Sequence, residues 1–325
     1  MSKTFKLLRQ VGLMLAALEC GMAAAQPGIV YELGGKFDKS FNESAYQGIE
    51  RWKKETGQNV LEFEISSETQ REQALRRMAE RGANPLIAVG FSQQSAVTKV
   101  AKDFPDLRFV IIDEVVKLPN VESVLFKEHE GSFLVGALAA MASKTGKVGF
   151  VGGMDVPLIR KFQCGYEAGA KHVNAKIETF GAMTGTTGAA WNDPARGGEL
   201  AKAQFARGAD VIFAAAGGTG TGVYQAAKDA GKFAIGVDSN QNYMQPGTML
   251  TSMIKRVDVA VYRALKGNET GVQVLGLKEG GVDYALDKYN QKLISGEMKR
   301  KAEVIANDII AGTIKVPEYS GGACK

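Results

Sequence analysis

The chain has 325 residues, more than one hydrophobic core usually serves, so two domains are expected. Hydrophobic residues make up 45% and charged residues 23%, which excludes a disordered or fibrous chain and fits a soluble globular one. The net charge of +5 contains no dense Lys/Arg cluster, so nucleic acid is not an expected partner.

The amino end reads as an export signal. Lys3, Lys6 and Arg9 form a basic start, residues 11–18 a short apolar run, and Ala23-Ala24-Ala25 a small-residue site. Cleavage is expected between Ala25 and Gln26, giving a periplasmic protein. The apolar run falls short of the ~20 residues that span a bilayer. Glu19 precedes Cys20 where a lipidation signal needs a small residue. Cleavage removes three positive charges and one negative, leaving +3, and leaves two cysteines, Cys164 and Cys324. In an oxidising compartment an even count suggests one disulfide tying the carboxyl end to the body; two unrelated thiols are the alternative.

From Gln26 onward short apolar runs alternate with longer amphipathic ones. Strands are expected at residues 29–33, 60–65, 86–89, 108–112, 148–151, 211–215 and 233–237. Helices are expected at residues 41–56, 68–81, 92–104, 130–143, 158–172, 195–207 and 221–230. This alternation predicts an α/β chain with parallel sheets and helices on both faces. It falls into two sets, the first ending near Phe126 and the second starting near Lys147. The run between them, G-S-F-L-V-G-A-L-A-A, is small or apolar throughout and predicts a buried helix. No flexible linker separates the sets, so short structured crossings are expected.

On such sheets ligands sit beyond the carboxyl ends of the strands, so the loops there carry the functional reading. After the first strand, Asp38, Phe41 and Asn42 offer a carboxylate, a flat apolar face and an amide, a set that suits a heteroaromatic base. Capping of the following helix by Asp38 or Ser40 is the plainer account. Phe91 follows the third strand and either lines the cleft or fills the core. Trp191 lies in a loop before Asp193-Pro194, which read as the cap and first residue of a helix. The cap does not explain the indole, which needs a partner. Trp52, within a helix pattern, is expected to be structural. Gly217 and Gly218 open a glycine loop through which backbone N–H groups can approach a ligand. The loop lacks the Walker and dinucleotide-binding spacings, so no cofactor is implied. Asp238 ends a strand where it can accept from a vicinal diol, or simply form a turn. Lys255 can donate to a sugar oxygen or neutralise a buried carboxylate.

Five motifs occur in order: G-G-K-F-D-K-S-F-N-E (34–43), E-G-S-F-L-V-G-A-L-A (130–139), A-G-G-T-G-T-G-V (216–223), G-V-D-S-N-Q (236–241) and S-M-I-K-R-V-D (252–258). In these the chain resembles the basic membrane protein family of ABC-transporter solute-binding proteins, which includes purine nucleoside receptors. The resemblance spans the mature chain. It implies the type I periplasmic-binding-protein fold: two Rossmann-like lobes, a hinge and a central cleft. One lobe would hold residues 26–127 with roughly 254–280 returning to it. The other would hold 128–253, completed by roughly 281–325. The resemblance further implies that Phe41 stacks on a purine, Asp38 and Asn42 hydrogen-bond around it, and Trp191 covers its other face. Gly217 and Gly218 would approach the sugar, Asp238 would hold ribose hydroxyls, and Lys255 would assist. The chain departs from the family where Y-E-L places Glu32 at a position often held by aspartate.

The implied function is capture of a purine nucleoside by lobe closure and delivery to a membrane permease, as a monomer. A free purine or a sugar is the alternative ligand. An enzyme is not expected. His129 and His172 lie in no loop with a nucleophile, and the sequence lacks G-x-S-x-G, H-E-x-x-H and zinc-like cysteine spacing. A DNA-binding regulator of the same lobe fold would need an amino-terminal DNA-binding module in place of the export signal.

Overall fold

A computed structural model describes residues 26–325; the expected leader, with its cleavage site at Ala25, lies outside the described residues. The first part of the chain runs β1 (Gly28–Tyr31), α1 (Phe41–Thr56), β2 (Leu61–Glu64), α2 (Gln70–Glu80), β3 (Leu86–Val89), α3 (Gln94–Asp103), β4 (Phe109–Ile112) and β5 (Val121–Phe126). It continues as α4 (Glu128–Ala142), β6 (Lys147–Met154), α5 (Pro157–Val173), β7 (Glu178–Gly185), α6 (Pro194–Ala206), β8 (Val211–Ala215), α7 (Gly220–Asp229), β9 (Phe233–Asp238) and β10 (Met249–Lys255). The last part is α8 (Val257–Lys266), β11 (Gly271–Leu275), β12 (Val282–Tyr284), α9 (Gly296–Ala311) and a small hairpin of β13 (Tyr319–Ser320) and β14 (Ala323–Cys324).

The strands assemble into two six-stranded sheets, β2-β1-β3-β4-β5-β11 and β7-β6-β8-β9-β10-β12. Every pairing in the first is parallel, and in the second only β12 runs antiparallel, against β10. The central strands are short and apolar because helices cover both of their faces: β1, β3, β4 and β8 are buried at every position. This is the type I periplasmic-binding fold, two parallel-sheet lobes with a cleft between them. In both sheets the first strand lies between the second and the third, so helices leave to opposite faces there. That reversal opens a crevice at the strands' carboxyl ends.

The chain passes between the sheets at Lys127, at Arg256 and along residues 276–281. The three crossings run side by side: Lys127 N donates to Leu275 O (3.0 Å), and Arg256 N donates to Gly281 O (2.8 Å). Each is short and hydrogen-bonded.

The small-residue run of α4 has a packing reason. A Cβ on Gly136 would overlap Tyr166 O, and one on Gly169 would overlap Phe133 O. Glycines on both helices thus let α4 and α5 meet backbone to backbone. Cys164 in α5 is bonded to Cys324 in β14, with Cα atoms 5.7 Å apart. The terminal hairpin is thereby fixed to α5, with Lys161 Nζ pairing to Glu318 Oε1 (2.7 Å) beside it.

Local signals explain several helix ends. Asp193 Oδ1 accepts from Arg196 N (2.9 Å) at the start of α6, and Pro194 takes the first helical position. α1 ends on Gly57 in left-handed conformation (φ +70°). Trp52 is 5% exposed inside the α1 core contact. Strands β5, β7 and β10 to β14, and helices α8 and α9, have no counterpart among the elements expected from sequence.

Candidate functional site

Between the two sheets lies a cavity of about 600 Å³ of empty space, its mouth included. The first lobe lines it with Glu32 and Leu33 after β1, Asp38, Phe41 and Asn42 at the start of α1, Gly90 and Phe91 after β3, and Asp113 after β4. The second lobe contributes Leu158, Ile159 and Phe162 from α5, Trp191, Ala215 to Gly217 after β8, and Val237, Asp238 and Lys255. The walls are therefore aromatic and aliphatic, interrupted by carboxylates and one ammonium.

Eight of the nine expected ligand residues reach this cavity. Gly218 does not: a Cβ there would face Trp191 O and Asn192 Oδ1, so it packs against the aromatic loop and leaves only Gly217 on the wall. Asn42 lines the cavity but its amide donors are already engaged. Nδ2 donates to Glu32 O (3.0 Å) and Gly35 O (3.1 Å), while Oδ1 accepts from Glu32 N (3.1 Å). The hydrogen bond expected from Asn42 around a base is thus limited to one in which its amide oxygen accepts. Its amide folds the loop after β1 and leaves one acceptor position on Oδ1.

Asp38 takes the capping role that its sequence position allowed. Its Oδ1 accepts from Ser40 N (2.8 Å) and Glu43 N (3.1 Å), and its Oδ2 from Asn42 N (3.0 Å), which caps α1. It also lines the cavity. Burial pushes its pKa up to about 6, and the backbone N–H groups of Asn42, Ser40 and Glu43 pull it partway back.

Trp191 lies over Gly153, where a Cβ would overlap the indole's six-membered ring, and Gly217 packs against the tryptophan's Cβ and backbone. Two glycines thus seat the indole at the cavity wall. Phe41 stands on the opposite lobe, with Lys255 Nζ 5.2 Å from its ring centre.

Lys255 is 1% exposed. Its Nζ lies 2.6 Å from Asp113 Oδ2 and 3.0 Å from Glu128 Oε1. The lysine thus neutralises buried carboxylates, the second of its two expected roles, and keeps one proton for another acceptor. Burial alone would push it down, but Asp113, Glu128 and Asp238 outweigh that and hold it above the lysine range. Burial raises Glu128, with Lys255 opposing. Asp113, Glu128 and Phe162 were not flagged in the sequence. Asp113 follows an expected strand and carries the post-strand signal, whereas nothing local marks the other two.

Glu32 is 7% exposed and held on several sides. Oε1 accepts from Leu33 N (2.9 Å) and Arg71 Nη2 (2.7 Å), and Oε2 accepts from the Ser92 hydroxyl. Arg71 on α2 matches this charge, so the glutamate is an ion-paired wall residue.

Asp238 is buried at φ +64°, a left-handed backbone that non-glycine residues rarely adopt. Burial pushes its pKa up to about 6, against the pull of Lys255 and of the Ser40 hydroxyl. Ser40 belongs to the other lobe, so the lobes touch through this bond. The cavity thus brings an ammonium, carboxylates and aromatic rings from both lobes together.

The Bmp family model, described as ABC transporter substrate-binding protein PnrA-like, matches residues 29–320. The chain is 35% identical over 317 residues to the ABC transporter nucleoside-binding protein BmpA of Lactococcus lactis, covering 89% of this chain and 88% of that one. It is also 35% identical over 293 residues to basic membrane protein D of Borreliella burgdorferi, covering 86% and 84%. Among solved structures it resembles an ABC transporter solute-binding protein from Aeropyrum pernix, with a TM-score of 0.82 and 29% identity over 91% of this chain and 94% of that one.

Proposed function

This chain belongs to the Bmp family of PnrA-like ABC transporter substrate-binding proteins, and from that premise we propose that it captures a purine nucleoside between its lobes and hands it to the permease of an ABC importer. The observation that carries the reading is the pair of aromatic walls: Phe41 from one lobe and Trp191 from the other line the same cavity. A purine between them would stack on both faces, worth about 1 kcal/mol per pair beyond burial. Asp238 would accept from ribose hydroxyls, with Gly217 leaving room for the sugar. Asp38, Asp113 and the remaining acceptor of Asn42 would meet the donors of the base edge. The similar Lactococcus lactis protein carries nucleoside binding in its name.

In this reading the protein binds its ligand without converting it and works outside the cytoplasm as a monomer, after loss of residues 1–25. We assign residues 26–127 and about 254–280 to one lobe, and 128–253 and about 281–325 to the other. Only the closed arrangement offers the ligand both halves of the site, so binding favours closure.

The test is a melting-temperature panel of purine and pyrimidine nucleosides, free bases and sugars, after unfolding and refolding to strip carried-over ligand. A large rise with purine nucleosides alone is expected, since a ligand at ~1,000 times its Kd adds about 4 kcal/mol. Phe41→Ala should weaken calorimetric affinity about ten- to hundredfold. A rise with free purines only would remove the ribose role of Asp238. No rise with any purine would overturn the nucleoside reading.

A further inference from the structure

Ser40 stands at the amino end of α1, yet its hydroxyl caps nothing there. The residue is 0% exposed, and its Oγ donates across the cleft to Asp238 Oδ2 at 2.6 Å, with Val237 O at 3.3 Å. The contact is reciprocal. Ser239 Oγ donates back to Ser40 O (2.8 Å), and Gln241 Nε2 donates to Lys39 O (2.8 Å). Two short segments, 39–40 and 238–241, thus exchange three buried or partly buried hydrogen bonds between lobes.

Each half is held in shape by its own lobe. Gln241 Oε1 accepts from the Tyr224 hydroxyl (2.7 Å) and from Val237 N (2.7 Å), and Gln241 N donates to Ser252 Oγ (3.0 Å). On the other side the Asp38 carboxylate gathers Ser40 N, Asn42 N and Glu43 N. Lys39 sits at φ +65° and Asp238 at φ +64°. Strained backbone of this kind persists where surrounding structure over-determines it. Here it lies on both sides of the same contact.

We propose that Lys39-Ser40 and Asp238-Ser239-Gln241 form an interlobe latch that sets how long the cleft stays shut, with Ser40 as its positioning residue. The latch rests on the closing-cleft reading but not on the identity of the ligand. Asp238 belongs to both the latch and the cavity wall, so the hydroxyl of Ser40 fixes one carboxylate oxygen and leaves the other to face the ligand. Losing that bond frees the carboxylate to turn, and removes a charge-assisted tie between the lobes.

The experiment uses the purified protein with spin labels on Lys102→Cys and Lys202→Cys, exposed positions on α3 and α6. The variants are Ser40→Ala and Ser239→Ala, one from each lobe. Ser44→Ala is the control for general loosening. It removes another buried serine hydroxyl, which accepts from Asp258 N (3.2 Å) away from the latch. Without ligand, the two latch variants should shift the label distances toward longer values, while Ser44→Ala matches the parent. With adenosine and guanosine as probes, Trp191 fluorescence should show release quickened about tenfold in Ser40→Ala, the scale of one charge-assisted bond, with association changed less than about twofold. Label distances identical to the parent in both latch variants would overturn the latch, as would weaker binding that arises from slower association. If neither nucleoside binds, the nucleoside reading fails, and the ligand-free distances still decide the latch.

Discussion

Asp238 combines a burial penalty with a strained backbone, and both are testable by one substitution. A carboxyl raised from 3.8 to about 6 in the fold contributes stability that is complete below its unfolded pKa and is lost as pH rises through about 6. Its ionised form at pH 7.5 therefore costs about 3 kcal/mol. Asn keeps the left-handed tendency and an acceptor for Ser40 while removing the charge. Asp238→Asn should melt above the parent at pH 7.5, with the gap narrowing by about 1 kcal/mol on going to pH 5. Half-buried His129, whose pKa burial lowers, changes stability in the opposite sense over that window, but it does so equally in both proteins. A gap that does not depend on pH would mean that the Asp238 carboxylate is ordinary. At this scale the sequence disclosed the residues that follow strands, because the carboxyl ends of parallel strands face the cleft. It disclosed little about how those residues are spent. The amide of Asn42 and the ammonium of Lys255 find partners seven to more than one hundred positions away, and no local pattern encodes such pairings.

The α4–α5 contact makes the sharpest demand on an element. A methyl group on Gly136 or Gly169 would press on backbone of the facing helix, which cannot rotate away as a side chain can. Gly136→Ala should cost about 3 kcal/mol, read from denaturant unfolding. An equal substitution at exposed Gly57 would instead report the left-handed cap, at about 1 kcal/mol. The disulfide acts on the same helix. Cys324→Ser should lower stability by about 2–5 kcal/mol, since the bond spans 160 residues, and should expose the terminal hairpin to protease. Element prediction succeeded where strands were apolar and bounded by turns, and failed for reasons visible in the residues. β5 carries buried Glu122 and Ser123, acceptable only because Arg108 Nη2 meets the glutamate at 2.7 Å. β7 and β11 are edge strands, partly exposed and glycine-flanked, and so lack a continuous apolar run.

At the scale of the molecule, the proposed capture is a competition between open and closed arrangements, in which the latch and the ligand would pull the same way. A nucleoside that engages both lobes should slow exchange of the amides at 39–43 and 237–242 with solvent deuterium more than it slows those of the outer helices α2 and α7. Equal protection everywhere would point to binding without closure. The interleaving of the sheets has a further effect, on the timing of assembly. The first sheet lacks its edge strand β11 until residue 275, and the second lacks β12 until residue 284. Helix α1 meets α8 so closely that a Cβ on Gly48 would overlap Asp258 O, so that face of α1 stays uncovered until the chain has passed residue 258. A polypeptide emerging amino end first cannot finish either half until most of its length has been made.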